Sequence, residues 1–167
     1  VAYPAGTGRR LLTWNAGYCC AEAARRKVDD LGFLASVIAD AQRRFGLGQA
    51  VYVTGMSNGA MLAETFAATH PGSVRAVAGV SGTMDTRNVR VAGPVPALLI
   101  HGTADTMVPY DGGRGDTSLT RTDFASVTSV VQAFLAPWGD GVTKTTRRID
   151  RQADDTAVLV TDHARDG

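Results

Sequence analysis

Few side chains in this sequence have types and spacing suited to chemistry, and most of them centre on Gly55-Met56-Ser57-Asn58-Gly59. A serine between two glycines at this spacing becomes meaningful only in context. The residues before it, Ala50-Val51-Tyr52-Val53-Thr54, are short-run and β-branched, which predicts a buried strand. The residues after it, from Asn58 to about Thr69, predict a helix closed by His70-Pro71-Gly72. A tight strand-to-helix turn of this kind lifts a serine hydroxyl above the sheet as a nucleophile. On this reading Gly55 and Gly59 leave room for strand and helix to approach, and the Asn58 backbone N–H faces a developing oxyanion. Serine needs a base to take its proton and an acid to orient that base. Asp105, in His101-Gly102-Thr103-Ala104-Asp105, follows the predicted strand Ala97–Ile100 and is the candidate acid. Catalytic groups of open α/β sheets gather at that end of the strands. Asp111 lies further into the loop and suits the role less well.

The base is harder to find. The sequence has three histidines. His70 stands at a predicted helix end, where capping is the expected role. His101 is too close to Asp105 in sequence to be a base downstream of it, and is expected to be structural. His163 lies downstream, but no glycine-rich loop presents it.

The elements that must position these groups follow from periodicity. Leu34, Val37, Ile38, Ala41 and Phe45 mark one face of a helix that Asp29 and Asp30 open and Gly46 and Gly48 end. Val74–Val80 reads as a further strand. Val127, Val130, Val131, Phe134 and Trp138 share one face of another helix, and two weaker strands are expected near Thr143–Ile149 and Ala157–Thr161. Strands alternating with helices imply an α/β protein with a mostly parallel sheet and helices on both faces. The length of 167 residues suits one domain spanning 1–167.

Composition narrows the function classes. A net charge of +1 with scattered arginines gives no electrostatic case for nucleic acid. No apolar run approaches the roughly 18 residues of a membrane span. No metal-ligand spacing appears, so no metal is expected, and hydrolysis through a serine needs no cofactor. Gly6-Thr7-Gly8 lacks the rest of a dinucleotide fingerprint and reads as a turn. Cys19 and Cys20 are adjacent and are not expected to bond each other. They read either as two buried thiols or as one partner of a cysteine elsewhere, which would imply an oxidising compartment.

Several blocks, in order, resemble the polyhydroxybutyrate depolymerase family, which also takes in feruloyl and acetylxylan esterase-like proteins. They are Trp14-Asn15-Ala16-Gly17-Tyr18-Cys19-Cys20, Val28-Asp29-Asp30-Leu31-Gly32-Phe33-Leu34, Val51–Met61 around the serine, His101–Asp105, and Val108-Pro109-Tyr110-Asp111-Gly112-Gly113. The resemblance implies an α/β-hydrolase fold and a secreted or extracytoplasmic bacterial serine esterase. Its substrate would be a polyester, an oligomer or a plant-wall ester. Ser57 would be the nucleophile, Asp105 the triad acid and the Asn58 N–H an oxyanion donor. It also implies a partial domain, because nothing here matches the family's upstream His-Gly oxyanion loop or its downstream strand with the catalytic histidine. On that expectation residues 1–167 alone are nearly inactive. A catalytically dead or binding derivative of the fold, and a serine peptidase, are the alternatives.

Overall fold

A computed structural model describes residues 1–165, and the chain divides into two compact units, 1–137 and 138–167. The first unit holds β1 (Tyr52–Met56), β2 (Ala76–Val80) and β3 (Ala97–Ile100), hydrogen-bonded in the order β1-β2-β3 and parallel throughout. Tyr52 pairs with Ala76 and Met56 with Val80, while Val80 pairs with Ile100. The α/β character expected from the sequence is present.

Four helices accompany the sheet: α1 (Ala21–Arg25), α2 (Asp30–Phe45), α3 (Asn58–Thr69) and α4 (Val127–Leu135). α2 starts where Asp29 accepts a hydrogen bond from the Gly32 amide at 2.9 Å, satisfying one of the donors a helix leaves open. It ends at Gly46, whose φ of 61° is the left-handed cap that glycine tolerates best. α4 starts at Ser126, whose side chain accepts from Ser129 N at 3.1 Å. It stops at Leu135 rather than running on to Trp138, because Pro137 lacks an amide and its ring breaks the ladder.

Val53, Val77 and Leu99 point into one core with Phe66, Ala67, Val130 and Phe134, joined by Leu34 and Ile38 of α2. Helices are thus packed against one face of the sheet. The opposite face carries Tyr52, Met56, Leu98 and Ile100, each more than half exposed. The expectation of helices on both faces is corrected among the described residues. The physical reason is topological. Parallel strands laid side by side in chain order need right-handed crossovers on a single face. This sets the side of α3, the helix that joins β1 to β2, and α2 and α4 pack into the core on that same face.

In the second unit β4 (Val142–Ile149) and β5 (Val158–Arg165) form an antiparallel hairpin with Val142 opposite Arg165. Threonines and charged residues dominate β4, β5 opens on Val158-Leu159-Val160, and most positions of both strands are exposed.

Candidate active site

The turn between β1 and α3 has the geometry its glycine spacing suggests. Ser57 sits at φ 52° and ψ −123°, a backbone region that L-residues rarely occupy. Such strain persists only where the surroundings enforce it. The Ser57 N–H donates to the Val80 carbonyl at 2.8 Å, and its carbonyl accepts from Met61 N–H at 3.1 Å. The two glycines are not equivalent. A Cβ on Gly55 would lie 2.3 Å from the Gly59 carbonyl, so no side chain fits there. A Cβ on Gly59 would meet nothing within 4 Å. The sequence reading gave both residues the same role, and only Gly55 has it.

Ser57 is exposed and makes no side-chain capping bond to α3. It lines a cleft of about 370 Å³ together with Leu12, Trp14, Asn58, Met107, Leu119 and Phe124, among others. Asn58 is the first residue of α3, where backbone N–H groups have no partner inside the helix and the macrodipole is positive. Its side chain is already committed. Asn58 Oδ1 accepts from Trp14 N–H at 2.7 Å, and Nδ2 donates to the Trp14 carbonyl at 3.1 Å. This reciprocal pair fastens the Trp14 loop to the residue after the nucleophile.

Other bonds fix the same loop. The buried Asp30 carboxylate accepts from Asn15 N–H at 2.6 Å, and Asn15 Nδ2 donates to the Val28 carbonyl at 2.8 Å. The paired acids therefore divide their work: Asp29 caps α2, while Asp30 holds the cleft wall. The Trp14 ring stacks on Phe33 with centroids 6.3 Å apart. The loop closes through Ala16 N–H to the Cys19 carbonyl at 2.6 Å and Cys20 N–H to the Trp14 carbonyl at 2.9 Å. The Cys19 side chain is buried in a cluster with Ala16, Met61 and Phe124, and Cys20 packs against that cluster.

Asp105 lies past the end of β3, on the strand-end side of the sheet where Ser57 follows β1. Its Oδ1 accepts from Met107 N–H at 2.8 Å and Val108 N–H at 2.9 Å. Oδ2 is left with His101 Nε2 at 3.6 Å as its neighbour. His101 Nε2 is 2.8 Å from the Val108 carbonyl. A carbonyl only accepts, so that nitrogen carries a proton and cannot take one from a serine. The His101 side chain is also buried, at 3% exposure. His70 stacks on Phe66, with Nδ1 at 2.9 Å from Thr69 Oγ1. His163 belongs to β5 of the second unit.

One residue at this site escaped the sequence reading. Glu64 lies inside α3 with its carboxyl fully buried, and it accepts from Met84 N–H at 2.9 Å. The signal was present: it is the one charged residue of a helix whose interior is otherwise apolar apart from Thr65.

No protein-family profile matches the chain, and no solved structure matches it. Among curated proteins it is similar to one named "Putative esterase NocK" from Nocardia uniformis subsp. tsuyamanensis, with 40% identity over 91 residues. That match takes in 53% of this chain and 24% of the relative's length, so the likeness is to part of that protein.

Proposed function

We propose that the protein is a serine esterase of the α/β-hydrolase type, with Ser57 as nucleophile, the Asn58 N–H as an oxyanion donor and Asp105 as the acid that orients the base. The observation that carries this reading is the strained Ser57 backbone at a β-to-α junction, with the residue exposed in a cleft. The likeness to an esterase over about half the chain supports it.

In this scheme Ser57 Oγ attacks the ester carbonyl carbon while a histidine takes its proton. The carbonyl oxygen gains charge beside the Asn58 N–H. Collapse breaks the bond to the alcohol, which leaves with the proton, and water then hydrolyses the acyl-serine by the same steps. Asp105 Oδ2 is the carboxylate oxygen left over to hold the base, because two backbone amides already occupy Oδ1. The base is a histidine other than His70 and His101, whose rings are engaged elsewhere. The substrate class, a hydroxyalkanoate polyester or a feruloyl or acetyl ester of plant-wall material, rests on the sequence resemblance, as does an extracytoplasmic site of action.

The test is hydrolysis of p-nitrophenyl butyrate by the full-length protein. Ser57→Ala should reduce turnover by roughly three or more powers of ten. A variant that keeps more than a tenth of the wild-type rate would exclude Ser57 as nucleophile. Labelling by a fluorophosphonate, present in wild type and absent in Ser57→Ala, separates an esterase from a binding derivative of the fold.

A further inference from the structure

Behind the sharp β1-to-α3 turn at Ser57, the elbow of this fold, lies a carboxyl group for which ester hydrolysis has no direct use. Glu64 is fully buried (0% exposed), and α3 is buried from Ala60 to Ala68, so the helix offers no solvated side for a charge. Glu64 Oε2 accepts from Met84 N–H at 2.9 Å. Glu64 Oε1 has no hydrogen-bond partner. It is pressed against β2 so closely that a Cβ on Gly79 would stand 2.1 Å from it. Burying a carboxyl group with an oxygen unsatisfied is unfavourable, so a local gain must offset it.

The segment that Glu64 holds is the one that holds Ser57. Val80 accepts the Ser57 N–H at 2.8 Å. A Cβ on Gly82 would stand 2.5 Å from the Ser57 carbonyl oxygen, so this backbone runs directly against the elbow. Between them Ser81 adopts φ 50°, a second strained residue without glycine's freedom. At the far end the Tyr18 hydroxyl donates to the Thr83 carbonyl at 2.6 Å, and Met84 N–H meets Glu64. The turn from Val80 to Met84 is thus braced on the elbow at one end and pinned at the other.

We propose that Glu64 is a positioning residue whose buried carboxyl pins the Val80–Met84 turn and thereby holds the strained backbone of Ser57. Its importance for catalysis rests on the esterase reading of Ser57, whereas its hold on the backbone does not. The pin works with a neutral carboxyl. Burial pushes the Glu64 acid up to about 8, and the Met84 N–H offsets this only in part. The other ionisable groups bearing on this region are Tyr18 and Asp85. Tyr18 is itself raised by burial, and the Asp85 carboxylate accepts from Asn88 Nδ2 at 2.7 Å. Arg87 approaches Asp85 at 3.9 Å but its side chain is largely solvated. Tyr18 and Asp85 are anionic when ionised, so neither favours a charge on Glu64.

The experiment is residue-resolved hydrogen exchange at the Ser57 and Met84 amides of the full-length protein, with ester hydrolysis measured alongside. In Glu64→Ala, both amides should lose protection by about tenfold or more, as local opening of one unit requires. In Glu64→Gln, which keeps an acceptor for Met84, both should stay within about twofold of wild type. After correction for intrinsic exchange, wild-type Ser57 protection should fall as pH rises through about 8, and that of Glu64→Gln should not. Loss of protection at Met84 with Ser57 unchanged would overturn the proposal. If Glu64→Ala does not fold, identical pH profiles for wild type and Glu64→Gln would overturn it too. A protein that hydrolyses no ester would refute the esterase reading, while the exchange data still decide whether Glu64 holds the elbow.

Discussion

At the scale of single residues, the elbow depends on one glycine more than on the pair. Gly55→Ala forces a methyl group into the Gly59 carbonyl, and such overpacking costs roughly 1–3 kcal/mol. Gly59→Ala places its methyl in open space within a helix, where alanine is favoured by about 0.5–1 kcal/mol. Urea denaturation of the two variants should therefore give shifts of opposite sign. Equal destabilisation would mean that the two glycines share one steric role. The sequence carried the pentapeptide but not this asymmetry, because a G-x-S-x-G pattern says nothing about which way each missing Cβ would point. The histidines show the complementary case. His101 was legible as structural from its closeness to Asp105, and its contact with the Val108 carbonyl supplies the chemical reason.

At the scale of elements, periodicity located α2 and α4 because each packs one repeating face into the core. By contrast α3, buried from Ala60 to Ala68, and the short apolar run of β3 were marked by the turn residues that flank them. Their edges were less legible. β1 was expected to end at Thr54 but continues through Gly55 and Met56, since those residues still pair with Gly79 and Val80. The five-residue α1 is too short to carry a period and was not seen. The clamp between Asn58 and the Trp14 backbone joins positions 44 residues apart, and no local pattern encodes such a bond. It predicts a separation of roles within one residue. Asn58→Leu removes the side-chain amide but keeps the backbone N–H at the site. Trp14 N–H would lose its partner while the Trp14 carbonyl keeps the Cys20 N–H, at a cost of about 1–2 kcal/mol for a partly buried group. Amide exchange at Trp14 should quicken, yet turnover should fall far less than in Ser57→Ala. A loss as deep as that of Ser57→Ala would show that the side chain, and not the backbone donor, is what the reaction needs.

At the scale of the whole molecule, the buried acid couples folding to pH. Glu64 binds its proton in the folded state up to about 8, well above its ordinary value of 4.5. Between those two values the unfolded chain has released a proton that the folded chain retains, so stability falls as pH rises through that window and then levels. The urea midpoint of wild type should decline over this range more than that of Glu64→Gln, and parallel curves would mean that Glu64 ionises freely in the fold. The uncovered sheet face belongs to this scale too. β1 was expected to be a buried strand, yet Tyr52 and Met56 on one of its faces are exposed, because the presence of strands and helices does not reveal which side the helices take. Topology decides that, and a three-stranded run in chain order sends its connections one way. The backbone of Ser57 also has a historical meaning. Glycine occupies a conformation like φ 52°, ψ −123° without penalty, so under the proposed esterase function it is selection for the hydroxyl that keeps a serine there, against the interest of the fold. In a lineage released from that selection, glycine is the replacement that drift would favour at position 57, and descendants would grow sturdier as they fell silent.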